Sequence, residues 1–409
     1  MKMFGVVCVM MAMTVFSLQG CSDGGGDSTD DSDEDTNSES PGSDDDTDTE
    51  SETGVPLPEV PRPFEDAGGS FLDNNSNAEW GSEGVCPALE VYCNGSCLSA
   101  VGDEQDNCTL LMHKTDETGP IALNSSAVFY LSALREVLKT DLETLETTSV
   151  LSGMSFPRML TVSEDTVFTN SGWPGFEGIV SVGINGENPT IVADYDSDII
   201  CMGEGGDRLY FQGSYMDNTF YSISSSGGYP EPVWGDDWAV DMFAASGDYM
   251  YYVDYTNQGT ALLRAPLPDV NQDAEEMFLA AAYVEDLCVS DTRAYVRMRD
   301  SSSDPWSIVS TDLSTGENTQ IEISGMKDLI ACNDSVAVYR LNGEDTDETS
   351  EIYVYSPTDG VSEVIGTMEK DGFGGAVAND THLFVAVGNM STGGIIRLAL
   401  PESLGIIPF

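Results

Sequence analysis

Four aspartates recur at matching places in the chain: Asp198, Asp241, Asp286 and Asp328. Each stands just ahead of a short apolar run that reads as a buried strand. If those runs converge, the four carboxylates ring one mouth of a central channel. Convergent carboxylates supply the hard oxygen donors that Ca2+ takes. Two of them could also act as acid and base on a glycosidic bond. The plainer role comes first, because Asp at a strand entry commonly bonds its own backbone as a turn residue. Ca2+ is therefore a ligand this pattern could accept, and no cofactor is required by it. Arg158 occupies the corresponding place in another repeat. The run Asp269-x-Asn271-x-Asp273 alternates oxygen donors but lacks the glycine and distal glutamate of an EF-hand loop, so it reads as a polar loop. The two histidines, His113 and His382, have no nucleophile or ligand partner near them in sequence. Ser22 sits in a Gly-x-Ser-x-Gly match, Gly20 to Gly24, without the strand and helix that a nucleophile elbow needs. No catalytic set emerges, and the expectation is a protein without enzymatic activity.

The chain has nine cysteines. Cys86, Cys93, Cys97 and Cys108 lie close together and read as a small module with two disulfides. Four cysteines allow three pairings, and spacing does not choose among them. Zinc would favour Cys-x2-Cys knuckles, which are missing. Cys201, Cys288 and Cys332 fall on predicted inner strands, where the expected role is that of small buried hydrophobes. Cys288 and Cys332 lie on neighbouring repeats, so a bond between them is the alternative.

The elements that must position these residues repeat about every 40–45 residues. A turn is followed by an aromatic or β-branched strand, centred at Phe129, Phe168, Tyr210, Tyr251, Tyr295, Val338 and Phe384. An Asp precedes six of these strands: Asp165, Asp207, Asp248, Asp291, Asp334 and Asp380. The first repeat has Ser126 there. Each repeat adds a second alternating strand, a shorter outer one and a buried strand leading into the next repeat. Four short strands per repeat is the signature of a propeller blade, whereas a sandwich does not keep a fixed period. The expected fold is all-β: a seven-bladed β-propeller over residues 119–409, preceded by the cysteine module at 85–118. Closure is the open point, because the last repeat needs an outer strand from Leu404–Ile407 or from Thr109–Met112. Trp173, Trp234, Trp238 and Trp306 fall on turns or outer edges, where aromatic rings pack blades or stack on ligands.

The first twenty residues read as an export signal: Lys2, an apolar run from Met3 to Leu18 too short to span a bilayer, then Leu18-Gln19-Gly20-Cys21. This ending resembles the lipobox of bacterial lipoproteins. The resemblance implies cleavage before Cys21, lipidation of Cys21 and, with Ser22 following it, sorting to the outer membrane. Two or more acyl chains suffice for stable anchoring. Residues 21–84 then form an acidic Ser/Asp/Thr-rich tether. Its first part, Ser22 to Gly54, holds fourteen Asp and Glu and no Lys or Arg, and it is expected to stay disordered and extended. The stretch Cys93-Asn94-Gly95-Ser96-Cys97 with Asp106-Asn107-Cys108 resembles short cysteine modules of Gram-negative surface lipoproteins. The repeat pattern resembles the divergent propellers of bacterial cell-envelope lipoproteins. A formal charge of −56 excludes nucleic acid as a partner. The expected partners are membrane lipid through the acylated terminus and a protein or glycan ligand. A propeller hydrolase or lyase acting on polymers through the channel aspartates is the alternative.

Overall fold

The computed structural model describes residue 86 and residues 90–401, apart from 115–117, 133–134, 155–156, 158, 174–175, 195–198, 206, 214–219, 235–241, 257–258, 268–273, 281–282, 302, 343–348, 370–372 and 390–391. No helix occurs among the described residues. The leader, the lipidation site Cys21, the tether and Leu404–Ile407 lie outside them.

Seven antiparallel sheets, the blades, account for the repeats. Blade 1 comprises Thr118–Leu123, Ala127–Ser132, Glu136–Asp141 and Thr147–Leu151. Blade 2 comprises Leu160–Val162, Thr166–Trp173, Phe176–Gly183 and Thr190–Asp194. Blade 3 comprises Ile199–Gly205, Arg208–Gly213, Phe220–Ser224 and Glu231–Trp234. Blade 4 comprises Phe243–Ser246, Tyr249–Thr256, Gly259–Pro266 and Glu275–Ala280. Blade 5 comprises Tyr283–Val289, Arg293–Arg299, Trp306–Asp312 and Asn318–Ile323. Blade 6 comprises Met326–Cys332, Ala337–Asn342, Thr349–Ser356 and Val361–Glu369. Blade 7 takes Phe373–Ala378, His382–Asn389 and Thr392–Ala399 from the far end of the chain. The first strand of each blade lies against the first strand of the next, and that of blade 7 lies against that of blade 1. The first strands thus form a closed inner ring, and the fold is the seven-bladed propeller that the repeat predicts.

The last blade is completed by Cys108–Lys114, which pairs antiparallel with Thr392–Ala399; Ile395 faces Met112 and Leu398 faces Cys108. Closure therefore uses the earlier of the two candidate segments. The sequence places Cys108 in a separate module, but its strand is the outer strand of blade 7. Glu104–Gln105 adds a short fifth strand beside it.

Alternation explains why the second strands are buried throughout. Successive side chains point to opposite faces, and here both faces meet another blade. Phe129 joins Val167 and Val180 of blade 2, whereas Val128 and Tyr130 join Phe384 and Ile395 of blade 7. The same division recurs around the ring, so that each of seven apolar clusters spans two adjacent blades. Each blade buries itself against its neighbours, as in other repeat architectures.

The turn between first and second strands is built by a side-chain cap. Asn124 Oδ1 accepts the N–H of Ala127, Asn333 Oδ1 that of Val336, and Asn379 Oδ1 that of His382. Ser163 and Ser290 do the same for Thr166 and Arg293. The caps also reach the next blade: Asn333 Nδ2 donates to Asn379 O at 2.8 Å, and Ser246 Oγ donates to Ser290 O at 3.1 Å. The recurring Asp of the sequence follows the cap by one or two places. Two of them bridge blades through their carboxylates: Asp334 accepts Thr292 N–H at 3.0 Å, and Asp291 accepts Ser246 Oγ–H at 3.5 Å.

Candidate functional site

At the opposite end of the ring, where the chain enters the first strands, the register shifts in blades 1, 3, 5, 6 and 7. Blade 5 has a bulge between Val284 and Asp286, and blade 6 has one between Met326 and Asp328. A bulge re-aims the side chains beside it. In both blades it brings the aspartate directly opposite an arginine of the second strand: Asp286 faces Arg297, and Asp328 faces Arg340.

The two pairs are closed ion pairs. Arg297 Nε lies 2.5 Å from Asp286 Oδ2, and the same oxygen accepts Leu329 N–H from blade 6 at 3.0 Å. Arg297 also donates to Glu285 Oε2 at 2.7 Å and to Lys327 O of blade 6. Arg340 grips Asp328 with two nitrogens, at 2.9 and 2.6 Å. The guanidinium carbons of Arg297 and Arg299 both lie 4.2 Å from the ring centroid of Trp306, and that of Arg340 lies 4.5 Å from Phe373 of blade 7. Such stacking favours Arg over Lys. Burial pushes the Asp286 carboxyl upward, while Arg297 and the Leu329 N–H pull it back.

The four aspartates of the sequence are thus not equivalent. Asp198 and Asp241 lie outside the described residues, as does Arg158. Asp286 and Asp328 are engaged in staples that join blade 5 to blade 6 and blade 6 to blade 7, an arrangement different from the open ring of carboxylates expected of a cation site. The arginines that engage them stand two strands' width away in sequence, and the signal that could find them is the cross-strand register, not the aspartates alone. Among the described residues, no three or more His, Cys, Asp and Glu side chains are placed to hold a metal.

The other candidates are dispersed. His382 bonds Thr381 Oγ1 through Nδ1 at 2.8 Å, and burial, helped by Arg397, pulls its pKa down. His113 is on the closing strand, opposite Gly394. The Asp269–Asp273 loop and Trp238 lie outside the described residues, and the side chains of Trp173, Trp234 and Cys201 are not described. One carboxylate that the sequence does not mark is Glu204, at the far end of the first strand of blade 3. Burial and the negative charge of Asp165 in blade 2 push it up to about 7.

The cysteines pair as Cys86–Cys97 and Cys93–Cys108, one of the three arrangements open to the module. Cys288 and Cys332 correct the expectation that both stay free. They form a disulfide between the first strands of blades 5 and 6, where the Cα atoms are 6.0 Å apart. The ring geometry brings equivalent positions of adjacent inner strands within disulfide reach.

No protein-family model matches the chain, and no curated protein sequence matches it. Solved structures do match its fold. An oligogalacturonate lyase in complex with manganese superposes with a TM-score of 0.55 at 12% identity, over 78% of this chain and 97% of that one. An oligogalacturonate lyase from Vibrio parahaemolyticus gives 0.51 at 10% identity, over 73% and 94%. The U3-55K protein gives 0.50 at 11%, over 73% and 100%. At these identities the likeness establishes the propeller and nothing about activity.

Proposed function

We propose that this is an exported lipoprotein, anchored through Cys21, that presents the propeller as a binding module for a protein or glycan and performs no catalysis. The observation that carries the reading is the state of the two described aspartates. A carboxyl acting as general acid or base must be able to reach a substrate proton. Asp286 and Asp328 are instead held by Arg297, Arg340 and a backbone N–H. Three disulfides fit a protein that matures in an oxidising compartment. The acidic tether fits a spacer that holds the body off an anionic membrane surface.

The test is a panel of glycans and peptides, oligogalacturonate included because proteins of that activity share the fold. The mature chain should retain particular members of the panel and leave them chemically unchanged. Turnover that disappears in Asp286→Asn or Asp328→Asn would replace this reading with the hydrolase or lyase alternative. For the anchor, Cys21→Ser should abolish incorporation of labelled fatty acid and release the protein from the membrane fraction. Unchanged labelling in that variant would remove lipidation at Cys21.

A further inference from the structure

We infer that closure of the propeller is conditional on oxidation of Cys93 and Cys108: their disulfide latches the closing strand, Cys108–Lys114, into blade 7. The biological setting, an oxidising compartment, rests on the export reading above; the latch itself rests on the geometry.

The closing strand comes from the earlier part of the chain, so no hairpin turn ties it to the strand it pairs with in blade 7. It pairs along Thr392–Ala399 on one side and with the short Glu104–Gln105 on the other. Yet much depends on it. Leu110 fills the apolar interface between blades 6 and 7, and Leu111 and Met112 fill that between blades 7 and 1. If the strand leaves, both interfaces open and Thr392–Ala399 becomes a bare edge. A strand that no hairpin turn holds can leave without the rest of its blade unfolding, and a bare edge invites pairing with other chains.

The latch bridges the strand to a different blade. Cys93 ends the first arm of a hairpin, Val91–Cys93 with Ser96–Leu98. That hairpin is bonded to the outer strand of blade 6: Asn94 N–H donates to Thr367 O at 3.2 Å, and Thr367 N–H donates to Asn94 Oδ1 at 2.9 Å. Two glycines make room for it. A Cβ on Gly366 would come within 3.1 Å of Asn94 Oδ1, and one on Gly394 would stand 2.9 Å from both Val91 Cγ2 and Met112 O. The Cys93–Cys108 bond therefore ties the closing strand of blade 7 to a clasp seated on blade 6. Both cysteines are fully buried, so the bond must form as the clasp docks, and once docked it is shielded from thiols.

The chemistry balances with an acceptor disulfide, either of a thiol oxidoreductase or of a small molecule. One of the two thiolates attacks it, forming a mixed disulfide and releasing one acceptor thiolate. The second cysteine thiolate then attacks the mixed disulfide at the sulfur of the first and releases the other acceptor thiolate. The pair gives up two electrons and two protons, and the acceptor becomes two thiols.

Hydrogen exchange on the full chain tests the latch. In Cys93→Ser/Cys108→Ser, amides of residues 108–114 and 392–399 should exchange faster by about a hundredfold, while blades 2 to 4 stay as protected as in the parent. Cys86→Ser/Cys97→Ser, which breaks a bond within the clasp only, should leave 108–114 protected. Protection of 108–114 within about threefold of the parent in the first variant overturns the inference. So does a uniform rise across all seven blades, which would make the bond a general stabiliser. If the serine variant does not fold, the parent chain refolded from denaturant in excess thiol replaces it; full protection of 108–114 there also overturns the latch. No ligand enters these assays, so their failure leaves the binding reading standing.

Discussion

Glu204 stands on the inner ring with Asp165 of the neighbouring blade as its charged neighbour, and its carboxyl is raised to about 7. A group raised in the folded state retains its proton where the unfolded chain has lost it. Its contribution to stability is therefore full below about pH 4.5 and is lost as pH rises toward 7. A shift of that size corresponds to about 3 kcal/mol at most. Asp103, Asp141 and Asp312, all half-buried, act in the other direction. Turn N–H groups and hydroxyls hold their carboxyls low, Asp312 at about 2, so their support is lost only in acid. Stability should peak in mildly acidic solution, near about pH 5. Glu204→Gln should flatten the decline between pH 5 and 8 and raise Tm at pH 8 by a few degrees, measured by calorimetry. An unchanged decline in that variant would move its cause to other carboxylates. Arg297→Ala is the second residue-scale test. It leaves Asp286 buried without its cation and should cost about 3–5 kcal/mol. Arg297→Ala/Asp286→Asn should recover part of that loss, and a strictly additive double mutant would show that the pair is not coupled.

At the scale of elements, the cap of each inner turn is the feature most open to a single change. Asn333→Ala removes the acceptor for Ser335 and Val336 N–H and the donor to blade 7. The expected loss is about 1–2 kcal/mol, seen as a lower urea midpoint; a midpoint equal to the parent's would relegate the cap to decoration. These turns also mark how far the sequence was legible. Strand centres such as Tyr210 and Tyr295 are visible because both faces of a propeller strand are apolar. The period is visible because each blade repeats the same four-strand path. Recurring aspartates point to the turns, but the capping atoms belong to the Asn or Ser before them, since a cap is chosen by geometry within three residues. The Asp–Arg staples are hidden further, because they depend on a bulge that shifts register by one. The Cys288–Cys332 bond is legible only as an alternative: the period puts both cysteines on neighbouring repeats, but whether strands 44 residues apart come within bonding reach depends on the ring radius, which no local pattern encodes.

Across the whole molecule, the described disulfides and the buried Asp–Arg pairs gather on one arc. They lie on blades 5 to 7 and their clasp, whereas the ion pairs described on blades 3 and 4, Arg208–Glu231 and Arg264–Glu275, have exposed carboxylates. Over this lies a net charge of −56, whose self-repulsion disfavours any compact state. Salt separates the two contributions. Arg297–Asp286 is buried and screened little, and Arg208–Glu231 and Arg264–Glu275 have exposed carboxylates worth less than about 1 kcal/mol each. Attraction therefore has little to lose from screening, and repulsion among surface carboxylates has much. Raising NaCl from about 0.01 to 0.1 M cuts the screening length from about 30 to 10 Å and should raise Tm at pH 8, more than at pH 5 where fewer carboxylates are charged. A falling Tm would mean that ion pairs outweigh the repulsion. Ca2+ and Mg2+ at matched ionic strength then divide screening from a site. Equal gains from both ions are the expected outcome, because the described aspartates at the entry end already have arginine partners. A saturable excess for Ca2+ would instead assign a cation site to the remaining members, Asp198 and Asp241, and its loss in Asp198→Asn or Asp241→Asn would locate it.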